Sequence, residues 1–366
     1  MSILFADGAD HYRDSASGGD GVVQKWGVIT RTAAPGTDAV GRNGGRALRM
    51  VGTCGVGRIV DIVGTNTIRY TVGFAWFKEV PGTLPATRQI LLAFKLGGTH
   101  QFSLNYNSVE QLELRRGSES GTLVASTTAL PSGFFNSYHY IEVQIVVDDN
   151  AGSIEVHIDG ATTAWDVALA TITNTGTNAG MTIVSLEGNN TAVTPIVDDV
   201  YILDDVDRSV DATPDATDFL GDVKVPFLGA SSLVDTGNYK QFTPSTGTNH
   251  AAMVDDPVSA TPCPDGDSTY VGAPTTGLRD SFLLATASGI TNPIAVQIIH
   301  NSRSDGVARN LSSFTRQGGV DYDNPAQSVG VTNYDMYRDI LERNPATTAP
   351  WVLAEVNPPT EWGVLS

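Results

Sequence analysis

The sequence predicts an all-β protein in two parts, a β-sandwich followed by a smaller, mainly β part that closes with short helices. Three observations carry this. Residues 141–147 and 154–158 alternate apolar with mostly polar side chains at period two, as half-buried strands do. The chain holds 38 Gly and 30 Asp, residues that supply turns. Glu and Lys, strong surface helix formers, number only 10 and 5. At 366 residues the chain exceeds one ordinary domain of roughly 100–200 residues, so one boundary is expected. Its 41% hydrophobic content is enough for a conventional core.

In chain order, the runs Ile68–Phe77, Gln89–Leu96 and Gln101–Tyr106 are β-rich and separated by Gly or Pro. Tyr140–Val147 and Ile154–Gly160 flank the turn residues Asp148–Ser153 and read as an antiparallel hairpin. Pro195–Asp204 supplies one more strand. Asp205–Asp218 is acidic, poor in apolar residues and linker-like, which puts the boundary near 210 and divides the chain into residues 1–210 and 211–366. In the second part, Phe219–Val225, Ile294–Ile299 and Ala308–Phe314 are strand-like. Thr332 or Asn333 would cap a helix over Tyr334–Arg343 before Pro345 stops it. A second helical turn over Pro350–Asn357 begins with Pro, which suits a first helical position.

Several function classes are disfavoured. A formal charge of −18, acidic in both parts, repels nucleic-acid backbones. No apolar run reaches the roughly 20 residues that span a bilayer, and residues 1–7 lack the basic and apolar regions of a secretion signal. Synthesis in a cytoplasm without membrane insertion is the expectation. Cys54 and Cys263 stand far apart, and the six His show no metal spacing. Gly117-Ser118-Glu119-Ser120-Gly121 has Glu where a nucleophile elbow has Ser, and no HExxH, P-loop or GxGxxG motif occurs.

Gly41–Arg49, Phe74-Ala75-Trp76-Phe77, Tyr138–Glu142, Ile154–Gly160 and Val197–Ile202 form a series that resembles the concanavalin-A-like jelly roll of laminin-G-type domains over roughly residues 1–205. The family commonly has Trp where this chain has Tyr138. Beyond it, Asp218–Val225, Phe242–Ser245, Val254–Pro257, Asn344–Thr347, Trp351 and Ala354–Asn357 resemble, in their order, the C-terminal region of tailed-bacteriophage virion proteins that carry such a domain in front. The resemblance implies a particle-borne structural or adhesive protein and transfers no catalytic residues.

A lectin-like jelly roll can bind sugar through aromatic faces. The candidates are Trp165, Tyr138 and Trp76, with Trp26 and Tyr106 behind them; the competing reading is a core aromatic, except for Trp165, whose Ala164-Trp165-Asp166 setting after the hairpin reads as exposed. Calcium would suit oxygen clusters such as Asp148-Asp149-Asn150, with Asp148 and Asp149 as ligands; Asp198-Asp199, Asp204-Asp205 and Asp265-Gly266-Asp267 are weaker candidates, and Asp equally serves turns. No other cofactor is expected. A glycosidase needs two carboxylates facing a cleft, and Glu142 and Glu155 on facing strands are the pair to examine; the competing reading is a solvated polar face. Tyr334, Tyr337, Trp351 and Trp362 are candidates for assembly contacts, or else they fill a small second core.

The expected protein is a non-enzymatic structural component of a tailed-phage virion, a tail-associated fibre or spike or a surface component, whose jelly roll contacts host glycan or neighbouring subunits. Its partners would be other virion proteins and further copies of itself, with a trimer favoured. The alternatives are a head decoration protein, a polysaccharide depolymerase and a lectin-like adhesin.

Overall fold

The structure, a computed structural model, describes residues 2–12, 22–38, 41–60, 69–78, 88–131, 134–146, 152–160, 167–172, 181–190, 194–204, 219–230, 238–255 and 267–366. The chain forms two compact units, Met1–Val225 and Pro226–Ser366. The expected boundary near 210 lies outside the described residues. Residues 219–225, expected as a strand of the second part, are instead an irregular strap belonging to the first unit.

The first unit contains β1 (Ser2–Asp7), the five-residue α1 (Val22–Trp26), β2 (Gly27–Ile29), β3 (Gly36–Asp38), β4 (Ala47–Arg49), β5 (Gly52–Ile59), β6 (Arg69–Phe77), β7 (Gln89–Leu96), β8 (Thr99–Tyr106), β9 (Leu112–Arg116), β10 (Thr122–Ser126), β11 (Tyr138–Val146), β12 (Gly152–Ile158), β13 (Val167–Ile172), β14 (Ile183–Asn190) and β15 (Ile196–Asp204). They build two antiparallel sheets. The first runs β13-β12-β11-β6-β15-β4-β3, with β1 also pairing β15; the second runs β10-β9-β8-β7-β14-β5-β2. This is a two-sheet sandwich of the concanavalin-A-like, jelly-roll kind.

Alternation decides which side chains enter the interior. In β11, Ile141, Val143 and Ile145 join the core, while Tyr140, Glu142 and Gln144 take the opposite, outer face. The expected antiparallel hairpin is present, with Ile141, Val143 and Ile145 opposite Ile158, Val156 and Ile154. Trp26, Trp76, Phe74, Phe94 and Phe102 fill the space between the sheets, each burying about 150–250 Å². Cys54 lies in the same core, where burial pushes its thiol up to about 11.

The second unit comprises β16 (Thr243–Pro244), β17 (Val271–Gly272), β18 (Arg279–Leu283), β19 (Val296–Ser302), β20 (Arg309–Gln317), β21 (Val320–Asp323), β22 (Gln327–Val329), β23 (Asp335–Leu341), α2 (Leu353–Val356) and β24 (Glu361–Leu365). Strands β18-β24-β20-β21, with β22 beside β20, form its main sheet; β19 pairs β23, and β16 pairs β17. Here the helix expected over Tyr334–Arg343 is corrected. The segment is strand β23, in register with β19 from Val296–Leu341 to Ser302–Asp335. Leu341, Val296 and Ile298 then pack on the core formed by Trp351, Val356 and Trp362, and this tertiary gain outweighs local helix preference. The second expected helical turn is present as α2, four residues long.

Candidate functional site

The sequence candidates sort by burial. Trp76 is fully buried, its ring centroid 5.4 Å from that of Tyr106 and 5.7 Å from that of Phe134, so it has no face for a sugar. Trp26 and Tyr106 are buried as well. Lys78 reaches into this end of the sandwich, with Nζ 5.0 Å from the ring centroid of Tyr106 and 4.5 Å from that of Phe135, and burial lowers its pKa. Tyr138 is half-buried and pairs with Phe77 across the ladder at a ring distance of 5.1 Å. Beside it, His139 stacks on Phe134 and holds Asp159 at 2.7 Å. Trp165, Asp148 and Asp149 lie outside the described residues, as does Asp265.

The outer face of the first sheet carries the most elaborate site. Gly73 on β6 leaves room for the Tyr201 ring from β15; a Cβ there would stand 2.1 Å from Tyr201 Cε1. Tyr201 donates to Glu142 on β11, and Gly221 N–H donates to the same Glu142 Oε1 at 2.8 Å. Glu142 is fully buried, and its Oε2 has no hydrogen-bond partner among the described residues. The solvated face expected for Glu142 is thus corrected: strap 219–225 covers it. Glu155 stands opposite Gln144, not Glu142, and is bonded to His157 at 2.9 Å.

A register shift between Asp198 and Tyr201 in the β15–β6 pairing brings Asp199 to φ +49° and redirects its carboxylate toward the strap. Asp199 Oδ1 accepts Val225 N–H at 2.8 Å, and Oδ2 faces Arg42 at 3.4 Å and Asn43 at 3.1 Å. Asp198 accepts the Arg42 N–H and Asp199 N–H, both at 2.8 Å. Burial and the neighbouring Asp199 raise Asp198 to about 8; burial also raises Asp199, against the pull of Val225 N–H and Arg42. These acids are occupied with backbone and Arg42. Among the described residues, no three His, Cys, Asp or Glu side chains are grouped to hold a metal ion.

Two further buried carboxylates carry ionic hubs that the sequence analysis did not single out. On the outer face of the second sheet, Glu187 meets Lys95 at 2.9 Å, His100 at 2.9 Å and Arg31 at 2.5 Å. Burial works against its charge, but His100, Lys95 and Arg31 prevail and hold it down at about 2. Asp7 on β1 accepts from Tyr12 and Trp26, both at 2.6 Å, and from Lys25 at 3.0 Å. Its pKa is lowered in spite of full burial, chiefly by Lys25 and His11. The scarcity of Lys was a usable signal, since Lys25, Lys78 and Lys95, all in the first unit, are each buried.

In the second unit, Trp351 and Trp362 are buried against each other in the small core at a ring distance of 5.8 Å. Tyr334 is half-buried; its hydroxyl donates to Asp267 at 2.8 Å, and Arg303 lies over its ring. Tyr337 stacks on His300 and accepts Gly330 N–H at 2.8 Å. No described helix is long and apolar enough to cross a membrane.

The sequence matches no protein-family model and no curated protein. Among solved structures, the chain is similar to a Trypanosoma rangeli sialidase in complex with sialic acid (15% identity, TM-score 0.37, covering 55% of this chain and 30% of that one). It is also similar to the receptor-binding domain of botulinum neurotoxin mosaic serotype C/D (8%, 0.38, 55% and 47%). A third is the globular domain of T. cruzi calreticulin (11%, 0.36, 56% and 89%). The chain thus spans only about a third of the sialidase's length, and no residue role carries over from any of the three.

Proposed function

We propose that the chain is a non-enzymatic structural protein of a tailed-phage virion, a tail-associated fibre or spike or another surface component, whose jelly roll contacts host glycan or neighbouring subunits. The observation that carries the non-enzymatic part is the engagement of the sandwich's carboxylates. Glu142, Glu187 and Asp7 are buried and held by Tyr, Lys, Arg or backbone donors, and Glu155 is tied to His157, an arrangement that rigidifies a scaffold. A glycosidase needs its two carboxyl groups open to a cleft. The virion part is supported by the sequence resemblance of residues 218–357, in order, to tailed-phage virion proteins. For glycan contact, half-buried Tyr138 and Phe77 with adjoining His139 and Asp159 offer an aromatic surface beside polar groups.

Electron microscopy of purified particles labelled with an antibody against residues 226–366 tests this. Label on the tail tip or fibres is the expected result. Label spread over the head would make the chain a decoration protein. Intact particles without label would overturn the virion reading.

A further inference from the structure

Three of the chain's five lysines are buried, and they are not served alike. Lys25 Nζ stands 3.0 Å from Asp7 and Lys95 Nζ 2.9 Å from Glu187, each on a carboxylate. Lys78, only 7% exposed, has no carboxylate in contact among the described residues. Its Nζ lies over the rings of Tyr106 and Phe135 instead. Glu110 is the acid whose field reaches it, and the two form no ion pair. Ring faces attract an ammonium but offer its N–H groups no oxygen acceptor. The Tyr106 hydroxyl and Trp76 Nε1 are buried in the same cluster, and neither has a hydrogen-bond partner among the described residues. Buried donors are nearly always paired. Three donors without an acceptor make this end of the sandwich a place for an anionic oxygen.

Aromatic rings continue from it. Phe135 adjoins Phe134 at a ring distance of 6.1 Å, Phe134 stacks on His139, and His139 follows Tyr138, whose ring meets that of Phe77. The aromatic surface proposed for glycan contact therefore runs on to an ammonium that lacks a counter-charge.

We infer that this end of the sandwich binds an acidic sugar, with Lys78 Nζ receiving its carboxylate and the neighbouring rings its apolar face. The inference deepens the glycan contact of the proposed function and rests on it. A carboxylate on the ammonium supplies to Lys78 what Asp7 and Glu187 supply to Lys25 and Lys95. Phe135 and Tyr138 are partly exposed, as a ring-stacking surface must be. A net charge of −18 repels polyanions at a distance, so the preference for acid is set at contact, by this one cation.

Nuclear magnetic resonance of the full chain, labelled with carbon-13 at lysine Cε and in the tyrosine rings, tests this. Lys78→Met and Tyr138→Phe assign the two signals, and sodium glucuronate, glucose and sodium acetate are titrated in turn. Glucuronate should move the Lys78 and Tyr138 signals saturably and raise the titration midpoint of Lys78, and it should bind roughly tenfold more tightly than glucose, the worth of one hydrogen bond to a charged group. Lys78→Met should reduce glucuronate to the affinity of glucose. Because that variant removes an unpaired buried charge, its thermal midpoint should not fall, which controls for folding. Glu110→Gln removes the acid that competes for the ammonium and should tighten glucuronate by up to about fivefold. Glucuronate and glucose binding alike, with Tyr138 moved and Lys78 still, overturns the acid preference and leaves glycan contact standing. Acetate binding as tightly as glucuronate overturns recognition of the sugar. No movement of Lys78 or Tyr138 with any of the three compounds overturns glycan contact as well.

Discussion

Glu187 and Lys95 form an ion pair at 2.9 Å on the outer face of the second sheet, with both side chains almost wholly withdrawn from water. A carboxylate so placed is stable only because His100 and Arg31 also reach it. Its pKa of about 2 stands below the ordinary value of 4.5, so it contributes stability above about pH 4.5 that is lost as the pH falls toward 2. Urea unfolding should show a loss of about 3 kcal/mol across that window, and Glu187→Gln should cost a similar amount at neutral pH while flattening the acid limb.

Asp198 has the opposite sign. Held at about 8 by burial and Asp199, it keeps a proton in the folded chain that the unfolded chain has released above about pH 4. Its contribution is complete below pH 4 and lost as the pH rises through 8. Asp10 and Lys224 also act on the pair, Asp10 raising Asp198 and Lys224 lowering Asp199. Unfolding midpoints should fall between about pH 5 and pH 9, and Asp198→Asn should make that fall shallower.

Gly73→Ala would drive a methyl group into the Tyr201 ring. Overpacking of this kind costs about 1–3 kcal/mol, and displacement of the ring also withdraws the hydroxyl that accepts Leu220 N–H. Amide hydrogen exchange at Leu220 and Gly221 should accelerate while that of Val143 and Ile145 is unchanged.

Glu142 separates a scaffold from an enzyme. Glu142→Gln keeps an oxygen for Tyr201 and Gly221 and removes a buried charge, so its unfolding free energy should stay within about 1 kcal/mol of the parent. A depolymerase using Glu142 would lose its activity in the same variant, and a polysaccharide-viscosity assay of both proteins decides between the two.

Trp351→Ala opens a cavity in a core of few residues and should cost the second unit about 3–5 kcal/mol. Calorimetry should show one transition moving down and the transition of the sandwich staying in place. Unchanged thermal behaviour with a changed oligomer mass would return Trp351 to the surface.

The sandwich was legible wherever one sheet face is apolar and its partner is close in sequence. The β11–β12 hairpin was readable because Ile141, Val143 and Ile145 meet Ile158, Val156 and Ile154 across one turn. Glu142 was not, because what covers it, Gly221, lies 79 residues away and no local pattern announces such a contact. Composition marks 205–218 as a linker, and it gives no sign that Leu220, Gly221 and Val225 return to the first unit. The segment 335–341 misled for a related reason. Tyr337, Ile340 and Leu341 share a helical face, whereas pairing with 296–302 puts alternate residues on opposite sides of a ladder. Trp76 and Trp351 show that an aromatic in a β sequence does not reveal by itself whether it faces ligand or core.

The pairing of β1 with β15 has a consequence for synthesis. Ser2 waits for Asp204, and β6, at the centre of the same sheet, waits for both β11 and β15. Loop-closure entropy must be overcome before such distant contacts repay it. On the ribosome, β1 therefore emerges about 200 residues before its neighbour β15 exists, and the sheet can close only after β15 has been made. The last strand of the sandwich sets the time of its maturation.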